Sequence, residues 1–270
     1  MSYSAPRQPT LFIPHGGGPC FFMDPPPANP TMWVKMEAYL RGIAASLPQR
    51  PRAILIISGH WEAPVPTVNT AAHPGLLFDY YGFPEHTYRL TYPAPGAPDL
   101  AAEVRRLLEA AGIATAEDGG RGFDHGVFVP LKVAFPDADI PVLQLSLKAG
   151  MDPAAHLAIG RALAPLRDQG VLIVGSGMSY HNLRMLFSGR GNPESVAFDD
   201  WLVDAATAEP GRRDALLAEW SRAPHARDCH PEEEHLIPLM VAAGAAGADV
   251  GRHVYAEHLA GKALSGFRFG

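Results

Sequence analysis

The chain has 270 residues, 47% of them hydrophobic and 19% charged, with a formal net charge of −6 and a sequence pI near 6.0. That length suits one large domain around a single core, and the composition is that of a soluble globular protein. No basic tract supports nucleic-acid binding, no apolar run is long enough for a membrane helix, and the two cysteines, Cys20 and Cys229, form no CxxC or disulfide framework.

Residues 1–9 are polar and carry prolines, and read as a loose arm. Leu11–Pro14 is an apolar strand that ends at His15, and Gly16–Gly18 then lets backbone pass close to a bound group. Thr31–Ser46 has apolar residues at helical spacing. Ala53–Ile57 is a continuous apolar run rich in β-branched residues and leads through Ser58-Gly59 to His60. It reads as a strand buried on both faces of a parallel sheet. Residues 62–98 form a long, aromatic-rich loop, a length usually reserved for functional or lid-like segments. Pro98–Ala111 is helical, Gly119–Gly126 is a turn-rich loop, Val127–Phe135 a short helix and Pro141–Ser146 a further strand. Asp152 caps a helix that runs to about Arg167, with Pro153 at its first position. Val171–Gly175 is the next strand and runs on towards His181. Phe198–Glu209 and Ala215–Ala223 are helical, a helix starts at Glu232 and continues to about Ala246, and the tail from Gly261 forms a last short strand. This alternation predicts a single-domain α/β three-layer sandwich, a mostly parallel or mixed sheet flanked by helices.

The histidines carry the chemical signal. Ligands in such sheets gather at the carboxyl ends of the strands, where His15 and His60 fall, each beside glycine. Imidazole in that setting suits zinc or iron. A third ligand is expected from Glu232–His235. His235 gains nothing from the positive end of a helix, so ligation explains its position, while Glu234 competes because two histidines and a carboxylate also hold non-haem Fe(II). His181, past another strand end, suits proton transfer. His125 either hydrogen-bonds an anionic substrate, oriented by Asp124, or caps its loop. His86, in the aromatic loop, is within range of the same pocket. His73, His156, His225, His253 and His258 read as surface residues, and both cysteines as inert.

Taken together, PTLFIPHGGGP (9–19), ISGHWE (57–62), FDYYGFPEHTYRLTYPAPG (78–96), GFDHGVFVPL (122–131), LIVGSGMSYHNL (172–183), FDDWL (198–202) and EHLIPL (234–239) resemble the class III extradiol ring-cleaving dioxygenases, in their 4,5-DOPA dioxygenase-like branch. The pieces span nearly the whole chain in order. The resemblance implies metal ligation by His15, His60 and His235, acid–base catalysis by His181 and substrate contact by His125. It implies Fe(II) for activity, with Zn(II) compatible with the isolated protein, and a catechol and O2 as reactants that yield a muconic semialdehyde. Tyr81, Phe83, His86 and Tyr88, together with Tyr80, are expected around the ring. Cysteine usage points to a reducing cytoplasm, no leader-like segment is expected, and a homo-oligomer is left open. Two rival readings remain: a zinc hydrolase on the same three histidines, and a binding homologue without catalysis.

Overall fold

The computed structural model describes residues 6–270. An eight-stranded mixed sheet runs through the molecule, built from β1 (Thr10–Pro14), β2 (Ala53–Ala63), β3 (Thr67–Asn69), β4 (Ala116–Asp118), β5 (Val142–Lys148), β6 (Val171–Gly177), β7 (Gly251–Leu259) and β8 (Lys262–Phe269). The helices are α1 (Val34–Ser46), α2 (Pro98–Ala110), α3 (His125–Ala134), α4 (Pro153–Leu163), α5 (Leu183–Leu186), α6 (Asn192–Thr207), α7 (Pro210–Ala218), α8 (Ala226–Cys229) and α9 (Ile237–Ala246). The strand order is β4-β3-β5-β2-β6-β1-β8-β7. The central four, β5, β2, β6 and β1, are mutually parallel, whereas β8 and β7 continue the sheet antiparallel on one side.

The apolar runs explain this centre. In β2, Ile54 and Ile56 enter the core on one face and Leu55 and Ile57 the core on the other, all with no exposure. A strand covered on both sides has no need of polar alternation. Helices α1, α3 and α6 close the first face, and α2, α4 and α9 the second. Every residue of α9 is buried, as expected of a helix that is apolar all round. The three-layer α/β architecture expected from the sequence is therefore present, and none of the described helices is long and apolar enough to cross a membrane.

Several local expectations are corrected. Residues 1–5 of the expected loose arm lie outside the described residues, but Gln8 and Pro9 are buried. The Gln8 amide donates to the Arg167 carbonyl, and its side chain donates to the Gln49 carbonyl. The α9 helix begins at Ile237, not Glu232, because Pro238 occupies its first turn. The Asp152 cap is present and accepts from the Ala155 amide at 3.0 Å, but α4 ends at Leu163 and tightens into a 3-10 turn over Ala164–Gln169. His156 is not a surface residue: it is buried, its Nδ1 2.7 Å from the Asp152 carbonyl and its Nε2 accepting from the Lys148 amide.

Arg167 ties chain segments that are far apart in sequence. Its buried guanidinium donates to the carbonyls of Gln8, Ala245 and Ala246 and pairs with Asp249 at 2.6 Å. Arg167→Met should leave those carbonyls without a donor and destabilise the fold by about 3–5 kcal/mol. Urea unfolding monitored by circular dichroism measures the loss.

Candidate metal centre

Adjacent parallel strands place the key side chains. Because β2, β6 and β1 are neighbours, their carboxyl ends open at one point of the sheet edge. His15 follows β1, its amide held by the Gly177 carbonyl at the end of β6. His60 lies inside β2 rather than beyond it. The register of β2 against β5 slips between the pairs Ile57–Leu145 and Glu62–Leu147, and such irregularities re-aim side chains next to active sites. His235 sits in the turn before α9, and its carbonyl accepts from the Met178 amide. The turn lies so close to β6 that a Cβ on Gly177 would fall 2.0 Å from the His235 carbonyl oxygen. Only glycine fits there.

The three imidazoles converge. One ring nitrogen from each of His15, His60 and His235 lies within 4.8 Å of the others. His60 Nε2 and His235 Nε2 are 3.2 Å apart. His235 Nδ1 lies 2.8 Å from Glu234 Oε1, so the carboxylate takes its N–H and leaves Nε2 as a bare lone pair. Both ring nitrogens of His15 are buried without a hydrogen-bond partner. Burial pushes all three imidazoles away from the charged form, and repulsion from neighbouring histidines adds to it: His235 falls from 6.5 to about 4, and His15 and His60 are also lowered well below the usual range. A cation between these crowded, neutral, desolvated imidazoles would satisfy their lone pairs. A separation of 3.2 Å suits two donors each about 2.1 Å from a shared ion. The donor set therefore fits a divalent transition metal, zinc or ferrous iron.

Two carboxylates set the orientation of the rings. Glu234 lies outside the His15–His60–His235 group but forms a second donor group with His181 and His235. Its Oε1 accepts from His235 Nδ1 and from His181 Nδ1, at 2.8 and 3.0 Å, and these hydrogen bonds hold it ionised well below the usual carboxylate range despite its burial. The His181 ring stacks on His235 with centroids 3.4 Å apart, so its Nε2 is left to the cavity it lines. Asp79, which the sequence reading passed over, performs the same task for His125: Oδ1 accepts from His125 Nδ1 at 2.8 Å and from its backbone N–H at 2.9 Å. Asp79 Oδ2 is 3.6 Å from His60 Nδ1. The expected partner, Asp124, is instead a buried hub that accepts from Ser58, Gln144 and Arg121 and fastens β2 and β5 to the start of α3. The only signal for Asp79 was its place between Phe78 and Tyr80.

The aromatic loop divides. Phe83 lines a cavity of about 630 Å³ that opens beside the histidines, and a Cβ on Gly18 (φ +53) would clash with its ring. The glycine turn thus makes room for Phe83. Tyr81 is 92% exposed, His86 is exposed with Nε2 2.9 Å from the Phe22 carbonyl, and Tyr88 packs against Tyr80, so none of these three lines the cavity. Tyr80 is buried with its ring edge-on to His125 and its hydroxyl bonded to the Thr87 carbonyl. His230 is fully buried, its Nε2 2.9 Å from the Ser179 carbonyl, where it braces the loop that carries His181.

An α/β sheet that gathers imidazoles at its strand ends, open on an apolar cavity, has the architecture of a metal-dependent enzyme. Residues 9–268 match the family described as the catalytic LigB subunit of aromatic ring-opening dioxygenase, and the chain belongs to that family of extradiol dioxygenases. It is 40% identical to the dioxygenase tasH of Hapsidospora irregularis, over 88% of this chain and 78% of that one. It is also 40% identical to the 4,5-DOPA dioxygenase extradiol of Beta vulgaris, over 88% and 87%, and 33% identical to that of Escherichia coli K12, over 90% and 86%. The crystal structure of an uncharacterized protein from Escherichia coli K12 superposes with a TM-score of 0.77 at 29% identity, covering 98% of this chain and all of that one.

Glu234→Gln should weaken metal binding by roughly 10–100-fold, because the carboxylate sets the ring orientation and basicity of His235; competition against a chromophoric chelator reads this. In the metal-free chain, His235 and His230, at about 4 and about 3 in the fold, remain neutral where the unfolded chain takes protons near 6.5. Stability should therefore fall as the pH drops from about 6.5 towards 4, which denaturant midpoints across that range measure.

Proposed function

We propose that this chain opens the ring of a catechol-type substrate by extradiol dioxygenation, with ferrous iron held by His15, His60 and His235. The observation that carries the reading is the meeting of three neutral imidazoles from distant parts of the chain, two of them with Nε2 atoms 3.2 Å apart. Iron bound there would supply coordination of both catechol oxygens and of O2, and the redox capacity that zinc lacks. The same names among the relatives, 4,5-DOPA dioxygenase extradiol, support a dihydroxybenzene as the ring.

The side chains around the ion divide the remaining work. His181 is the acid–base group: with Nδ1–H fixed on Glu234, its Nε2 takes a proton from a catechol hydroxyl and later returns it. His125, steadied by Asp79, offers its Nε2 to a substrate oxygen. His181 and His125 both line the cavity with the three ligand histidines, so a bound ring is held in place before reaction. Phe83, backed by Tyr80, covers one side and keeps water from the reacting oxygens.

Purified protein loaded with ferrous iron and assayed in air against a set of catechols should give the yellow ring-opened semialdehyde, and zinc-loaded protein should not. Absence of turnover with every catechol would overturn the proposal. His181→Ala should keep its metal and lose roughly 10²–10⁴-fold in kcat, whereas His60→Ala should lose the metal itself by elemental analysis. Undiminished turnover in the first, or full metal content in the second, would contradict the assigned roles.

A further inference from the structure

Away from the imidazoles the cavity is strongly apolar. Its apolar lining includes Met32, Trp33, Phe83, Leu183, Leu186 and Phe187. Leu183 and Phe187 are 68% and 66% exposed, large apolar side chains left at the rim of a concave site. Grouped apolar exposure of this kind marks a surface that a ligand covers. The volume, about 630 Å³, lies within the roughly 300–1,000 Å³ of pockets for drug-sized molecules and far exceeds the need of one six-membered ring.

Charge narrows the occupant further. Among the described residues no lysine or arginine lines the cavity, and Asp24 is the only carboxylate in its lining. A carboxylate on the substrate's arm would be drawn out of water with no lysine or arginine to meet it and an aspartate nearby. An ammonium group would find only Asp24, which is exposed, and an exposed ion pair contributes little. An uncharged hydrocarbon arm meets neither cost and covers the exposed leucine and phenylalanine.

Resting on the ring-cleaving reading above, we propose that the preferred substrates are catechols with an uncharged apolar arm, alkyl or aryl, seated between Trp33 and the Leu183–Phe187 segment. The arm, rather than a carboxylate or amino-acid side chain, sets specificity. Catechols with an ionised side chain are selected against by the absence of a counter-ion.

The test compares kcat/KM of the ferrous-loaded enzyme for 4-butylcatechol, unsubstituted catechol, dopamine, DOPA and 3-(3,4-dihydroxyphenyl)propionate. The butyl compound should exceed the propionate, of similar length, by tenfold or more, and should exceed both amines. Leu183→Arg, at an exposed position, supplies the missing cation and should narrow the butyl-to-propionate ratio at least fivefold. Equal or better use of the carboxylate or amine compounds by the wild type overturns the proposal, as does an unchanged ratio in Leu183→Arg. Binding gives a second readout: 4-butylcatechol should quench the tryptophan fluorescence of zinc-loaded protein at lower concentration than the propionate, and Trp33→Phe should lose that quenching. If nothing is cleaved but this order of binding holds, the ring-cleaving reading fails and the pocket's preference stands. If catechols are cleaved with carboxylates preferred, the preference fails and the chemistry stands.

Discussion

Glu234 stands between the Nδ1 atoms of His181 and His235, and the geometry of the centre depends on that shared carboxylate. By taking one N–H from each ring it fixes both tautomers, leaving two Nε2 atoms with different surroundings. One faces His60 across 3.2 Å, and the other looks into the cavity. A single ionised group thereby couples the placement of His235, the proposed metal donor, to that of His181, the proposed proton carrier stacked on it. Asp79 repeats the device with His125 and lies within 3.6 Å of His60. His181, His235 and His125 are thus set in position by two acidic side chains, while burial keeps His15, His60 and His235 from the charged form.

Much of this was readable in advance because burial writes itself into strands. The runs in β1, β2 and β6 have no polar interruption, so their two-sided burial and the histidines at their ends could be identified without coordinates. Strand order was not readable. That β6 lies between β2 and β1 is what brings His60 and His15 together, and no local pattern encodes it. Asp79 and Glu234 were obscured for a related reason: a carboxylate that orients a ring looks like any loop acid until its partner is found. Glu234 drew attention only as a rival ligand.

Other departures have local causes. The strand β7 was missed because its burial recurs at Gly251, Tyr255 and Leu259, a four-residue spacing that does not alternate. The sequence places the start of α9 too early, at Glu232, because an acidic cluster looks like a helix start, although Pro238 marks the first turn. In the aromatic loop, density of rings was taken as density of contacts with a ligand. Tyr80, Tyr88 and Phe78 instead pack on one another and on Phe128, forming a footing from which Phe83 alone reaches the cavity.

The place of β1 in the sheet has a consequence for how the molecule comes to be. It is the first strand in chain order, yet its two neighbours, β6 and β8, are contributed by residues 171–177 and 262–269. During synthesis one edge of this apolar segment therefore waits for β6 and the other for β8. Such long-range pairing slows folding and leaves an apolar strand edge open to wrong partners until β8 has emerged.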